Sequence, residues 1–297
     1  MGEPVPEVET RKLRYFVALA TERHFGRAAS RLGIAQPPLS RAISQLERRL
    51  GVALLERTSR GIRLTAAGEV LLAEGSAALA AVGAATRHTQ RAGRSDPRLI
   101  LAMKPTGDGG LLPEILAEYE RQPGALPVDI VFSAGERAAM LRDGRADVGL
   151  LHRPHNDLSG LDAEELRTET QVVVLPEHHP LAQRASVPLA ELAGETMPRW
   201  PGTPDGGRTG PVVQDIGQLM QLITLRRLVA VVPASVRSRL PAGLVCRPVP
   251  DAPPVTIVVA WLSGSTSRQV ASFVRAATTA ASRAGEAMTN FKVEQAG

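Results

Sequence analysis

Cysteine is nearly absent from this chain of 297 residues, where Cys246 stands alone. That excludes an intramolecular disulfide framework and a cysteine-built structural zinc site, and a lone thiol suits a reducing compartment. Lysine is almost as scarce, with only Lys12, Lys104 and Lys292, and aromatic residues make up 3% of the chain. The opening MGEPVPEVETRKLRYF lacks the apolar run of a secretory signal peptide. No uncharged apolar stretch approaches the roughly 18–20 residues of a membrane span. The expectation is a cytoplasmic, globular protein of two or three domains, long enough to bury its own cores.

Charge is unevenly placed. Residues 1–65 hold 12 of the 35 Lys+Arg and 6 of the 30 Asp+Glu, a net of +6, whereas the remaining residues are near neutral at −1. A basic module joined to a neutral body points to nucleic acid or an anionic membrane as partner. A bias towards arginine over lysine does not explain why the excess is N-terminal.

Periodicity divides the chain. Leu13, Phe16, Val17 and Ala20 predict a first helix, and Phe25, Ala28, Ala29 and Leu32 a short second one. Gly33 supplies a tight turn. A third helix opens on Pro37-Pro38, tolerated only in a first turn, and buries Leu39, Ile43, Leu46 and Leu50. A hairpin follows, Leu54–Arg57 returning as Ile62–Leu64, and Thr65 can cap the next helix. Residues 66–92 form one proline-free helix roughly 40 Å long. Its Val70, Leu71, Leu72, Leu79 and Val82 need a partner surface larger than a single winged module offers. Ser95-Asp96-Pro97 breaks it. Beyond residue 98, strands at 99–103, 128–132, 148–151, 171–175, 229–232, 244–249 and 255–262 alternate with helical stretches. That alternation implies βαβ units in a mostly parallel sheet.

The first three helices and the basic hairpin make a winged helix-turn-helix. Opposite the buried stripe of its third helix stand Gln36, Ser40, Arg41, Ser44 and Gln45, side chains that reach base edges and phosphates. Arg57, Arg60 and Arg63 on the hairpin suit phosphate or minor-groove contact. A solvated polar face on an ordinary helical bundle would have the same composition. An architectural DNA-binding protein without effector, and an enzyme or small-molecule carrier with an incidental basic domain, remain open at this level.

The string LRYFVALATERHFGRAASRLGIAQPPLSRAISQLERRLGVALLERTSRGIRLTAAGEVLL resembles the N-terminal domain of the LysR-type transcriptional regulators. The resemblance rests on Phe16-Val17, Ala28-Ala29, Ala35-Gln36-Pro37-Pro38-Leu39-Ser40, Leu46-Glu47, Arg57 and Leu64-Thr65 with Gly68. The QPPLSR run is most like the branch that regulates aromatic-compound catabolism. The resemblance implies a helix-turn-helix at 25–44 within a winged domain at 8–65, with Pro37 and Pro38 beside the reading residues. It implies a dimerising linker helix at 66–96 and an effector domain at 97–285, followed by a tail at 286–297. The effector domain would be α/β, with two subdomains like a periplasmic binding protein. It further implies operator DNA and a small-molecule effector as partners, a homodimer or homotetramer, and RNA polymerase for an activator. Two departures stand out: the segment between Trp200 and Val212 is short, and Leu225-Arg226-Arg227-Leu228 replaces a glycine-rich turn.

Ligands of α/β sheets bind at strand carboxyl ends. Here that collects Lys104, Thr106, Ser133, Arg137, His152, Arg153, Arg199 and Thr203, a polar and basic set suited to a small organic anion. Enzyme chemistry finds little support. His178-His179 lacks metal-ligand spacing, Cys246 has no histidine tied to it, and neither a P-loop nor a Gly-x-Ser-x-Gly elbow occurs. No catalytic residue, metal or cofactor is expected.

Overall fold

A computed structural model describes residues 7–58, 61–201 and 209–294, the side chains of Arg57, Thr58 and residues beyond 285 excepted. Arg60 and Thr203 lie outside the described residues. The chain divides into two compact units at Thr89/Gln90.

In the first unit, α1 (Thr10–Glu22), α2 (Phe25–Leu32) and α3 (Gln36–Leu50) precede a hairpin of β1 (Leu55–Thr58) and β2 (Gly61–Leu64). Phe16, Leu19, Ala28, Leu39, Ile43, Leu46 and Leu54 form its buried core. Local chemistry sets the element ends. The imidazole of His24 accepts from the Gly26 and Arg27 amides and so caps α2. Gly33 takes the left-handed conformation between α2 and α3 at φ 66°. Thr65 Oγ1 accepts from the Gly68 amide and donates to the Ala53 carbonyl. That caps α4 (Ala66–Ala92) and ties it to the hairpin. Gly68 is required there, because a Cβ would overlap the Leu54 carbonyl.

α4 departs from expectation in two ways. By length and composition it is apolar enough to cross a membrane, although no such run was expected. The apolarity comes largely from small alanines rather than large side chains. Its Leu71 and Leu72 also pack against the winged core, so the module covers part of the helix by itself. Val70 and Val82 remain exposed, at 64% and 49%.

The second unit has two lobes. In the first, β3 (Leu99–Met103), β4 (Val128–Phe132) and β5 (Val148–Arg153) join through α5 (Leu112–Glu120) and α6 (Arg137–Arg142). β6 (Leu161–Glu169) and β10 (Val255–Leu262) complete a sheet of order β4-β3-β5-β10-β6. α5 and α8 (Arg268–Glu294) cover one face, where Tyr119 meets Phe273 edge-on at 5.3 Å. α6 covers the other. The second lobe is a sheet of order β8-β7-β9 formed by β7 (Gln171–Pro176), β8 (Ala230–Pro233) and β9 (Leu244–Pro248), with α7 (Ile216–Thr224) packed on it.

The mostly parallel sheet is corrected. β3 runs parallel to β4 and β5, but β10 is antiparallel to both its neighbours and the second lobe is wholly antiparallel. Periodicity reports burial rather than direction: Val172–Leu175 is buried on both faces, the pattern that parallel strands also show. β6 was missed because LDAEELRTE is a charged edge strand, a composition that protects sheet edges but hides them from hydrophobic pattern.

Candidate functional site: a DNA-reading helix and an effector cleft

α3 buries Leu39, Ile43 and Leu46 and exposes Gln36, Pro37, Pro38, Arg41, Ser44 and Gln45, with Ser40 half-buried. Arg48 was overlooked in the sequence, yet it lies four residues beyond Ser44 on the same exposed face. On the hairpin, Arg63 is exposed and pairs across the strands with Glu56 at 3.3 Å. Glu47 fixes the hairpin against α3: its Oε1 accepts from the Leu54 and Leu55 amides at 2.9 and 3.2 Å.

In the second unit a cleft of about 2100 Å³ is lined by residues of both lobes. Of the predicted set, Lys104, Thr106, Arg137 and His152 line it together. Ser133, Arg153 and Arg199 do not. Ser133 accepts from the Glu136 amide at the start of α6. Arg153 reaches Glu165 at 2.9 Å, and Arg199 Nε donates to the Gly210 carbonyl.

The cleft wall is strongly desolvated. Arg137 and His152 are 3% and 2% exposed. Arg137 donates through Nη1 to the Ser133 and Ala134 carbonyls and through Nη2 to Asn156 Oδ1 at 3.1 Å. Asn156, missed in the sequence, also accepts from the His152 amide at 2.9 Å, so one carboxamide positions both residues. Burial lowers the Arg137 guanidinium to about 10. Burial, then Arg137, lowers the Lys104 amine to about 8 against the pull of Glu169. His152 is pushed down to about 2 by burial and then by Lys104, Arg137 and His155, and stays neutral. Glu169, the second residue missed, is buried and accepts from Ser235 Oγ at 2.8 Å. Elsewhere His179 caps a short 3-10 turn at Pro180–Gln183, and burial pushes the Cys246 thiol up.

An exposed polar helix on a winged helix-turn-helix, carried on the same chain as a two-lobed ligand-binding domain, defines a ligand-responsive DNA-binding regulator. The comparisons make the class specific. The description "Bacterial regulatory helix-turn-helix protein, lysR family" matches residues 10–69, and "LysR substrate binding domain" matches residues 92–282. The Hca operon transcriptional activator HcaR of Escherichia coli (strain K12) is 31% identical over 290 residues, 90% of this chain and 96% of that protein. The regulator AlsR of Bacillus subtilis (strain 168) is 36% identical over 192 residues. That alignment spans 64% of this chain and 63% of AlsR, just under two thirds of that relative's length. The solved full-length BenM is 28% identical with a TM-score of 0.54, covering 94% of this chain and 98% of that one. The chain belongs to the LysR family: it is a sequence-specific DNA-binding transcription factor with a domain for a small-molecule effector.

Proposed function

We propose that this regulator reads its operator with the exposed face of α3 and answers to a small organic anion held in the cleft. Gln36, Ser40, Arg41, Ser44 and Gln45 meet base edges and nearby phosphates, Pro37 and Pro38 shape the helix start, and Arg48 extends the contact. Arg57, Arg60 and Arg63 hold the backbone or minor groove beside it. Lys104 and Arg137 attract the effector's charge, with Thr106 beside them in the cleft wall. The protein acts in the cytoplasm as a homodimer or homotetramer joined through α4, and its output is transcription rather than turnover.

One observation carries the DNA reading: Arg41 projects from α3 opposite the wholly buried Leu39–Ile43–Leu46 stripe, so its exposure has no packing role. Arg41→Ala should weaken binding to the intergenic promoter fragment by about 1–3 kcal/mol without lowering the melting temperature. Gel shifts of undiminished strength would refute the assignment.

A further inference from the structure

Two nitrogens in this molecule stand out. Among the described residues, the only buried side-chain polar atoms without a hydrogen-bond partner are Arg137 Nε and His152 Nδ1, and both residues line the effector cleft. A buried polar group left unsatisfied is costly. Two such groups in one cluster, joined through Asn156, form a pattern that a ligand can complete.

Their chemistry is opposite. Arg137 Nε always carries a proton and can only donate. The imidazole of His152 interacts with the Gly107 backbone in the sense that favours the protonated ring, so a ring N–H faces that carbonyl. With Nδ1 unpartnered, the donor is Nε2, and Nδ1 presents a lone pair. Protonating Nδ1 as well would put a third cation beside Lys104 and Arg137, which the same surroundings oppose. The cleft wall therefore holds two cations and, beside them, one neutral acceptor that needs a donor.

We infer that the effector is a hydroxycarboxylate: its carboxylate accepts from Arg137 Nε and the Lys104 ammonium, and its neighbouring hydroxyl donates to His152 Nδ1. His152 is thus the residue that selects hydroxylated acids over their deoxy counterparts. A bare carboxylate would satisfy the arginine and leave the histidine unpaired. A simple alcohol would do the reverse and leave the cations without a counter-charge. Both nitrogens are covered in this structure, so the cleft wall must open at this point to admit the ligand. A site built to bond a hydroxyl discriminates strongly against analogues lacking it.

This inference rests on the anion reading above, and one experiment separates their failures. Calorimetric titration of the full-length protein uses two matched probe pairs, mandelate with phenylacetate and lactate with propionate. The expected result is binding of a hydroxy acid at least about tenfold tighter than its deoxy partner. His152→Leu should erase that preference, and His152→Gln, which restores an acceptor, should recover part of it. Nitrogen NMR of histidine-labelled protein should show the His152 Nδ1 resonance move with mandelate. Equal affinity within each pair would overturn the hydroxyl inference and leave the anion reading standing. Binding of neither pair would overturn both. Should His152→Leu fail to fold, the paired comparison on the unaltered protein and the Nδ1 resonance still decide.

Discussion

Lys104 is a site residue that should weaken the fold it belongs to, and replacing it with methionine exposes the cost. The amine stands near pKa 8, whereas a lysine in an unfolded chain sits near about 10.4. Burial accounts for most of the lowering and Arg137 for the next part, with Glu169 opposing. At about 1.4 kcal/mol per tenfold change in proton affinity, keeping this amine charged costs the folded state on the order of 3 kcal/mol. Below pH 8 both states hold the proton and the cost is constant. Between pH 8 and 10.4 the unfolded chain still binds the proton that the folded chain has released, so the lysine protein gains stability as pH rises through that window. Lys104→Met keeps the apolar stem and removes the charge. It should therefore be more stable than the unaltered protein at pH 7, by roughly 3 kcal/mol, and the gap should close towards pH 10. Urea unfolding of both proteins at pH 7 and pH 10 measures this, since other titrating groups cancel in the difference. A variant less stable at pH 7, or a gap that does not change with pH, would show that Lys104 is not a desolvated charge and would remove the argument that it is retained for an anion.

Glu47→Ala should loosen the hairpin, because one carboxylate oxygen holds both the Leu54 and Leu55 amides. The expected loss is about 2–4 kcal/mol in the first unit, with weaker operator binding and rescue by Glu47→Gln; unchanged melting and affinity would mean the wing is held by packing alone. Val70→Glu with Val82→Glu should shift the protein towards monomer in light scattering without lowering its melting temperature, since neither side chain is buried within one chain. Persistence of the wild-type mass would place the oligomer contact elsewhere.

How much of this was legible depends on what each residue must satisfy. The winged unit could be read because its constraints are local: Gly33 at a left-handed turn, paired prolines in a first turn, and apolar residues at steps of four and three on α3. Lys104, Arg137 and His152 could be read as a set because strand ends bring them together. Asn156 and Glu169 could not, since their partners lie across a loop or on the other lobe, Arg137 being 19 residues away and Ser235 66 residues away. Nothing in spacing announces such a pairing. The packing of Leu71 and Leu72 against the winged core was hidden for a related reason: a helical stripe alone does not say which surfaces share it.

The departures of the second lobe from its family show where sequence and backbone part company. Where the family resemblance implies a glycine-rich turn stands Leu225-Arg226-Arg227-Leu228, and Arg226 adopts the left-handed conformation that glycine would supply, at φ 56°. That conformation costs a non-glycine residue about 1–2 kcal/mol. It is held because the end of α7 is determined from both sides. The Arg226 and Arg227 amides donate to Ile223 and Leu222 at 2.8 and 2.9 Å, while Ile223 and Leu228 are buried in the lobe's core. The turn is thus held without glycine, and α7 stays fixed against the core that carries it to the cleft. The short segment before α7 is different in kind. Across that short segment the described residues show a parallel bridge between Arg199 and Val212, reinforced by the Val213 amide on the Arg199 carbonyl at 2.9 Å. From that bridge the chain runs directly into Gln214, Asp215 and Ile216, all in the cleft wall. Substitutions at Pro198, Trp200, Gln214 and Ile216, which line the cleft, should therefore alter effector choice more than substitutions in the Leu225–Leu228 turn, which does not line it.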